Sequence, residues 1–166
     1  MNPALVANPR VAPAAASGSR PLLSTEQLHS LAVEEYAGRV LLSEMQTAKA
    51  LKGELGAAVS IAQDKVTGRI SRVRFNNQQG APPTNMSDTI ASRLKTVPES
   101  VKTKGPGRHA EVYAVDELLK ARPGAKLSDI QVLTLEIDPF SKYPLLSFKP
   151  ACNQSDHLLL GVEYLK

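Results

Sequence analysis

His109-Ala110-Glu111-Val112, Ile130-Gln131-Val132-Leu133-Thr134-Leu135-Glu136-Ile137 and Cys152-Asn153-Gln154-Ser155 are the three stretches on which the fold turns. The first opens an apolar stripe of Val112, Val115, Leu118 and Leu119 at helical spacing, stopped by Pro123-Gly124. The second is a run of β-formers too apolar for a strand with one wet face, so it predicts a strand buried on both faces. The third starts a short helical run over 152–160, with Gly161 suited to follow it and Val162 to Leu165 as a closing strand. Helix, central strand and helix in that order predict an α/β protein with helices packed on a sheet.

Working outward, Ala57 to Ala62 and Arg69 to Phe75 read as a hairpin around a Lys65-Val66-Thr67-Gly68 turn. A short helix is expected over 87–95. Ser24 and Gln27 have capping-box spacing ahead of Leu28, Leu31, Ala32 and Glu35, and a second helical stretch is expected from Val40 to Leu51. Residues 76–85 and 138–150 read as loops. Residues 1–23, with Pro3, Pro9, Pro13 and Pro21 among Ala, Ser and Asn, read as a disordered linker or leader, which assigns the folded domain to 24–166.

Composition narrows the function. With 166 residues the chain suits one domain, and aromatics at 4% with no Trp disfavour recognition by rows of stacking rings. A formal charge of +4 permits a polyanionic partner without requiring one. The single cysteine excludes an intrachain disulfide and any multi-cysteine zinc finger. No apolar run is long enough for a membrane span, and no secretory signal peptide is expected.

His109, Glu111 and Cys152 carry the chemistry. In H-x-E followed by C-x-x-C, a His and two Cys hold Zn²⁺ while the Glu moves protons during hydrolytic deamination of a base. A thiolate at Cys152 is favoured by the helix start. Ser155 stands where the last Cys belongs, and a neutral hydroxyl is a poor zinc donor beside a thiolate. Asp156 could supply oxygen only by distorting the helix, and otherwise reads as an acidic residue in a helix's first turn. Without the motif, His109 is a loop histidine, Glu111 a helix N-terminal charge and Cys152 a small core residue.

The flanks Gly107-Arg108-His109-Ala110-Glu111-Val112-Tyr113-Ala114 and Lys149-Pro150-Ala151-Cys152-Asn153-Gln154-Ser155-Asp156-His157-Leu158-Leu159 resemble the YwqJ-like bacterial toxin deaminases of the cytidine-deaminase-like superfamily. The resemblance covers roughly residues 50–165. It implies a three-layer α/β/α sandwich with a mixed sheet of about 4–5 strands. It further implies a zinc-dependent deaminase, most often of cytosine in single-stranded DNA or RNA. Such a domain is a secreted or injected effector that acts in the target-cell cytoplasm and is paired with an immunity protein. His109, Cys152 and the position of Ser155 become the metal site, and Glu111 the proton carrier. Ser155 then marks an inactive Cys-to-Ser variant, introduced or natural, unless Asp156 replaces the ligand.

Lys104 and Arg108, with Lys102, are candidate substrate contacts because they directly precede His109. Asn76, at the end of the hairpin, is a candidate for a base or ribose, and Arg69, Arg72 and Arg74 form a second basic group. Phe75, Tyr113 and Phe140 read as core. Two other functions compete: a non-catalytic deaminase-fold module that binds nucleic acid or protein, and a cysteine-nucleophile enzyme using Cys152 with His109 as base.

Overall fold

The computed structural model describes residues 20–42, 55–76, 85–101, 109–137, 147–150 and 152–166. Its helices are α1 (Thr25–Leu42), α2 (Asp88–Lys95), α3 (Ala110–Ala121) and α4 (Asn153–Leu158). Its strands are β1 (Ala58–Asp64), β2 (Arg74–Phe75), β3 (Ile130–Glu136), β4 (Ser147–Phe148) and β5 (Glu163–Tyr164). The five strands form one mixed sheet. β1 and β3 make its centre, antiparallel from Ala58 opposite Glu136 to Asp64 opposite Ile130. β2 lies along β1. On the other side of β3, β4 pairs antiparallel with its end and β5 parallel with its start.

Helices cover both faces, as the three-layer expectation requires. One face of β1 and β3 presents Val59, Ile61, Leu133 and Leu135 to Leu28, Leu31, Ala32 and Tyr36 of α1. The other presents Ala62, Ile130 and Val132 to a core built with Ile90 of α2, Val112, Val115 and Leu118 of α3, and Leu158 of α4. Before Asp64 at its end, this second face of β1 carries only small residues, Ala58, Ser60 and Ala62, and all are buried. With no bulky side chain between them, α3 packs closely along β1. Ser60 and Thr134, opposite each other under the helix, satisfy their hydroxyls mutually at 2.7 Å.

Several expectations change. The expected strand from 69 to 75 survives as an isolated bridge between Ile70 and Gln63 and the short β2. Ser71 interrupts it: its Oγ, rather than a backbone carbonyl, accepts the Ala62 N–H at 3.0 Å. β4 lies inside an expected loop. α1 runs unbroken to Leu42, so the first expected helix and the start of the second are one. The rest of the expected second helical stretch, 43–51, lies outside the described residues.

The folded unit also reaches back beyond Ser24 to Arg20. The Leu23 N–H donates to Oε1 of the fully buried Gln63 at 2.9 Å, and Gln63 Nε2 donates to the Pro21 and Gly68 carbonyls. The Arg20 N–H donates to the Thr67 carbonyl at 2.7 Å. Residues 1–19 lie outside the described residues.

Candidate active site

Two helix starts meet on the face of the sheet carrying α3 and α4. His109 is the N-cap of α3 in extended backbone, which puts Glu111 in the first turn. Cys152 is the N-cap of α4, and its Sγ accepts the Ser155 N–H at 3.4 Å. The four motif residues therefore converge. His109 Nδ1 lies 3.6 Å from Cys152 Sγ, 3.2 Å from Ser155 Oγ and 3.9 Å from Glu111 Oε1. Cys152 Sγ and Ser155 Oγ are 3.5 Å apart. Ser155 is fully buried, Glu111 is 5% exposed and Cys152 is half-buried.

The electrostatics follow from this packing. Burial is the largest influence on Cys152 and opposes its thiolate. Hydrogen bonds from His109, the Ser155 hydroxyl and the Ser155 N–H together outweigh it and bring the thiol down to about 6. His109 moves up: its bond to Cys152 favours the imidazolium most, burial opposes it, and the Glu111 charge adds to the upward pull. The cluster therefore stores charge of both signs at one point.

The donor set can be tested against a zinc ion. Zn–N near 2.0–2.1 Å and Zn–S near 2.3 Å at tetrahedral angles separate N from S by about 3.6 Å and N from O by about 3.3 Å. The observed 3.6 and 3.2 Å match those spacings. His109 and Cys152 also fit by chemistry, whereas Ser155 fits by position only. Among the described residues no group of three His, Cys, Asp or Glu side chains is arranged to hold a metal. Asp156 does not repair this, because it is exposed on α4.

Other candidates separate. Asn76 is drawn into the scaffold, since its Oδ1 accepts the Ala110 N–H at 2.8 Å. Arg72 and Arg74 are held by Glu117 of α3. The Arg72 backbone N–H and Nε donate to its carboxylate at 2.9 and 3.2 Å, and Arg74 Nε donates at 3.1 Å. Arg69 is exposed, and Phe75 lies under the Arg39 guanidinium, 5.5 Å from ring centre to Cζ. Lys102, Lys104, Arg108 and Phe140 lie outside the described residues.

Sequence reasoning missed Lys149 and Tyr164. Lys149 lies near enough to oppose protonation of His109, and its Nζ is 3.8 Å from Glu136. Tyr164 of β5 packs against the α3–α4 core. Burial, then the charges of Glu111, Asp156 and Cys152, push its phenol well above the ordinary range. Its place in the closing strand was the only signal available.

With the geometry in view, comparison adds a relative. The chain is similar to Toxin YwqJ of Bacillus subtilis (strain 168), 31% identical over 152 residues that make up 87% of this chain and 25% of the relative. The likeness to YwqJ-like toxins read from the two motifs is thus borne out, and the chain spans about a quarter of that relative's length. No family model and no solved structure matches the chain.

Proposed function

We propose that the chain is a bacterial toxin domain built as a zinc-dependent nucleobase deaminase, with Ser155 disabling its third ligand position. Similarity to a protein named as a toxin supports the first part. The deaminase reading rests chiefly on one observation: Cys152 Sγ, Ser155 Oγ and Glu111 Oε1 all gather around the same nitrogen of His109. Groups that share an ion converge in this way. A cysteine protease-like relay would instead place the thiol and the orienting carboxylate on opposite ring nitrogens. Glu111, on the same nitrogen as the thiol, is therefore not placed as the orienting carboxylate of such a relay.

In the complete site His109, Cys152 and a cysteine at 155 would hold the metal. Zinc, when bound, supplies the lowered water pKa that hydrolysis needs near neutral pH. Glu111 takes the proton from the attacking water, delivers it to the ring nitrogen, and moves a proton to the departing amine. A C–O bond forms, the C–N bond breaks, and ammonia leaves. The closed surroundings of Glu111 keep bulk water from competing for that proton. The favoured substrate is cytosine in single-stranded DNA or RNA, with Lys104 and Arg108 as proposed backbone contacts. A cognate immunity protein is the proposed partner, and delivery by secretion or injection the proposed route to the target cytoplasm. Among the described residues no helix is long and apolar enough to cross a membrane.

The deciding experiment is Ser155→Cys. The expected result is one zinc per chain and cytosine-to-uracil conversion, both lost on adding Glu111→Ala for activity or His109→Ala for metal. A Ser155→Cys protein that takes no zinc and deaminates none of the bases in DNA or RNA would overturn the reading.

A further inference from the structure

Three of the four helices among the described residues are capped by their own N-cap side chain. The Ser24 Oγ accepts the Gln27 N–H, the Ser87 Oγ accepts the Ile90 N–H, and the Cys152 Sγ accepts the Ser155 N–H. α3 is the exception, because the side chain of its N-cap, His109, makes no capping bond. The first N–H groups of a helix have no partner within it, and a buried start such as Ala110 must find one elsewhere. It finds the Oδ1 of Asn76, 34 residues earlier in the chain, at 2.8 Å.

Asn76 is itself fixed from two sides. Its N–H donates to the Ala58 carbonyl at 3.2 Å, which ties it to the first residue of β1. Gly56 backs it in a left-handed conformation, φ +84°. A Cβ on Gly56 would fall 2.5 Å from the Asn76 Cβ and 2.9 Å from its carbonyl oxygen, so only glycine permits the approach.

We propose that Asn76, backed by Gly56, is a positioning residue of the active site: its carboxamide oxygen takes the first N–H of α3, which an N-cap side chain does not reach, and so ties Ala110, the residue between His109 and Glu111, to the end of the sheet. This assigns to Asn76 a role through its oxygen, where the sequence suggested a substrate contact. Its effect on metal binding rests on the deaminase reading above, whereas the cap itself does not.

The test separates acceptor from donor. Asn76→Asp keeps the oxygen and removes the amide N–H groups, while Asn76→Ala removes both. In the chain as it stands, Asn76→Ala should speed hydrogen exchange at the Ala110 amide by about tenfold, and Asn76→Asp should restore it. The Ile90 amide, capped by Ser87, serves as an internal control and should not change. In the Ser155→Cys background, cobalt(II) affinity, read from the thiolate-to-metal absorption band, should follow the same order. Asn76→Asp should stay near the parent and Asn76→Ala should fall by about tenfold. Gly56→Ala should reproduce Asn76→Ala. The inference is overturned if Asn76→Asp is as damaging as Asn76→Ala, or if Ala110 exchange is indifferent to both. If no form binds cobalt, the zinc reading fails, while Ala110 exchange still decides the cap.

Discussion

The two ends of α3 handle polar groups in opposite ways. At its C-terminal end, Arg122 donates to the nearly solvent-free Asp64 at 2.7 and 3.1 Å and to Asp129 at 3.0 Å, while the Asp64 carboxylate also accepts the Val66 N–H. Gln63, Gln131 and the backbone of residues 20–23 extend this network. At its N-terminal end, His109, Glu111, Cys152 and Ser155 stand 3.2–3.9 Å apart, close enough to interact and loose enough to admit something between them. The first arrangement leaves nothing to bind, which is how a structural clamp looks. The second gathers a histidine and a thiol with shifted pKa values beside a buried carboxylate, which is how a site looks.

The largest expected effect tests the clamp. Arg122→Ala should leave a buried, uncompensated Asp64 charge and cost about 3 kcal/mol in urea unfolding, with the Cys152 labelling profile unchanged. A change at Cys152 would break the separation of the two ends. The clamp also has a pH signature. Burial opposes ionisation of Asp64, but Arg122 and the Val66 and Thr67 N–H groups prevail and hold its pKa below the ordinary value. Its stabilisation is therefore complete above the ordinary carboxylate range and is lost as pH falls through the lower folded-state value. Arg122→Ala should flatten that acid limb.

Next in size is Gly68→Ala. Gly68 has φ +77°, and a Cβ there would lie 2.2 Å from the Arg20 carbonyl oxygen. The expected loss is about 2 kcal/mol, with residues 20–23 becoming sensitive to protease. An intact strap in a stable variant would show that Gln63 alone holds it.

At the other end the effects are smaller. Alkylation of Cys152 should rise with pH to a midpoint of about 6 and level off above it. His109→Ala should move that midpoint up by about one unit, since the Ser155 bonds remain. An unmoved midpoint would mean that His109 does not act on the thiol. The smallest effect belongs to Tyr164. Its hydroxyl is shut off from solvent with no hydrogen-bond partner among the described residues, so Tyr164→Phe should stabilise by up to about 1 kcal/mol. A lower melting temperature would reveal a partner.

Legibility in the sequence followed the range of the forces. The capping box at Ser24 and Gln27, the helix from 110 and the strand from 130 were readable because neighbours in sequence determine them. The cluster was readable because each half of the motif sits at a helix start, and the sheet needs only to bring the two starts together. What escaped depends on distant groups. β4 exists because the end of β3 offers it an edge, and the 20–23 strap is held by Gln63 from about 40 residues away. Ser71 broke an apparently regular strand through its side chain. Asn76 was visible as a candidate, but its task depends on a helix start that no local pattern links to it.

Ser155 has a consequence at the level of the gene. Most serine codons become cysteine codons by a single-nucleotide change, and here the surrounding structure already holds the side chain buried, at 3.2 Å from His109 and 3.5 Å from Cys152. No neighbour has to be rebuilt around the substitution. On the proposed reading, a gene that encodes Ser155 with one of those codons lies one point mutation from a complete ligand set. Passage under selection for toxicity should then recover that codon before any other.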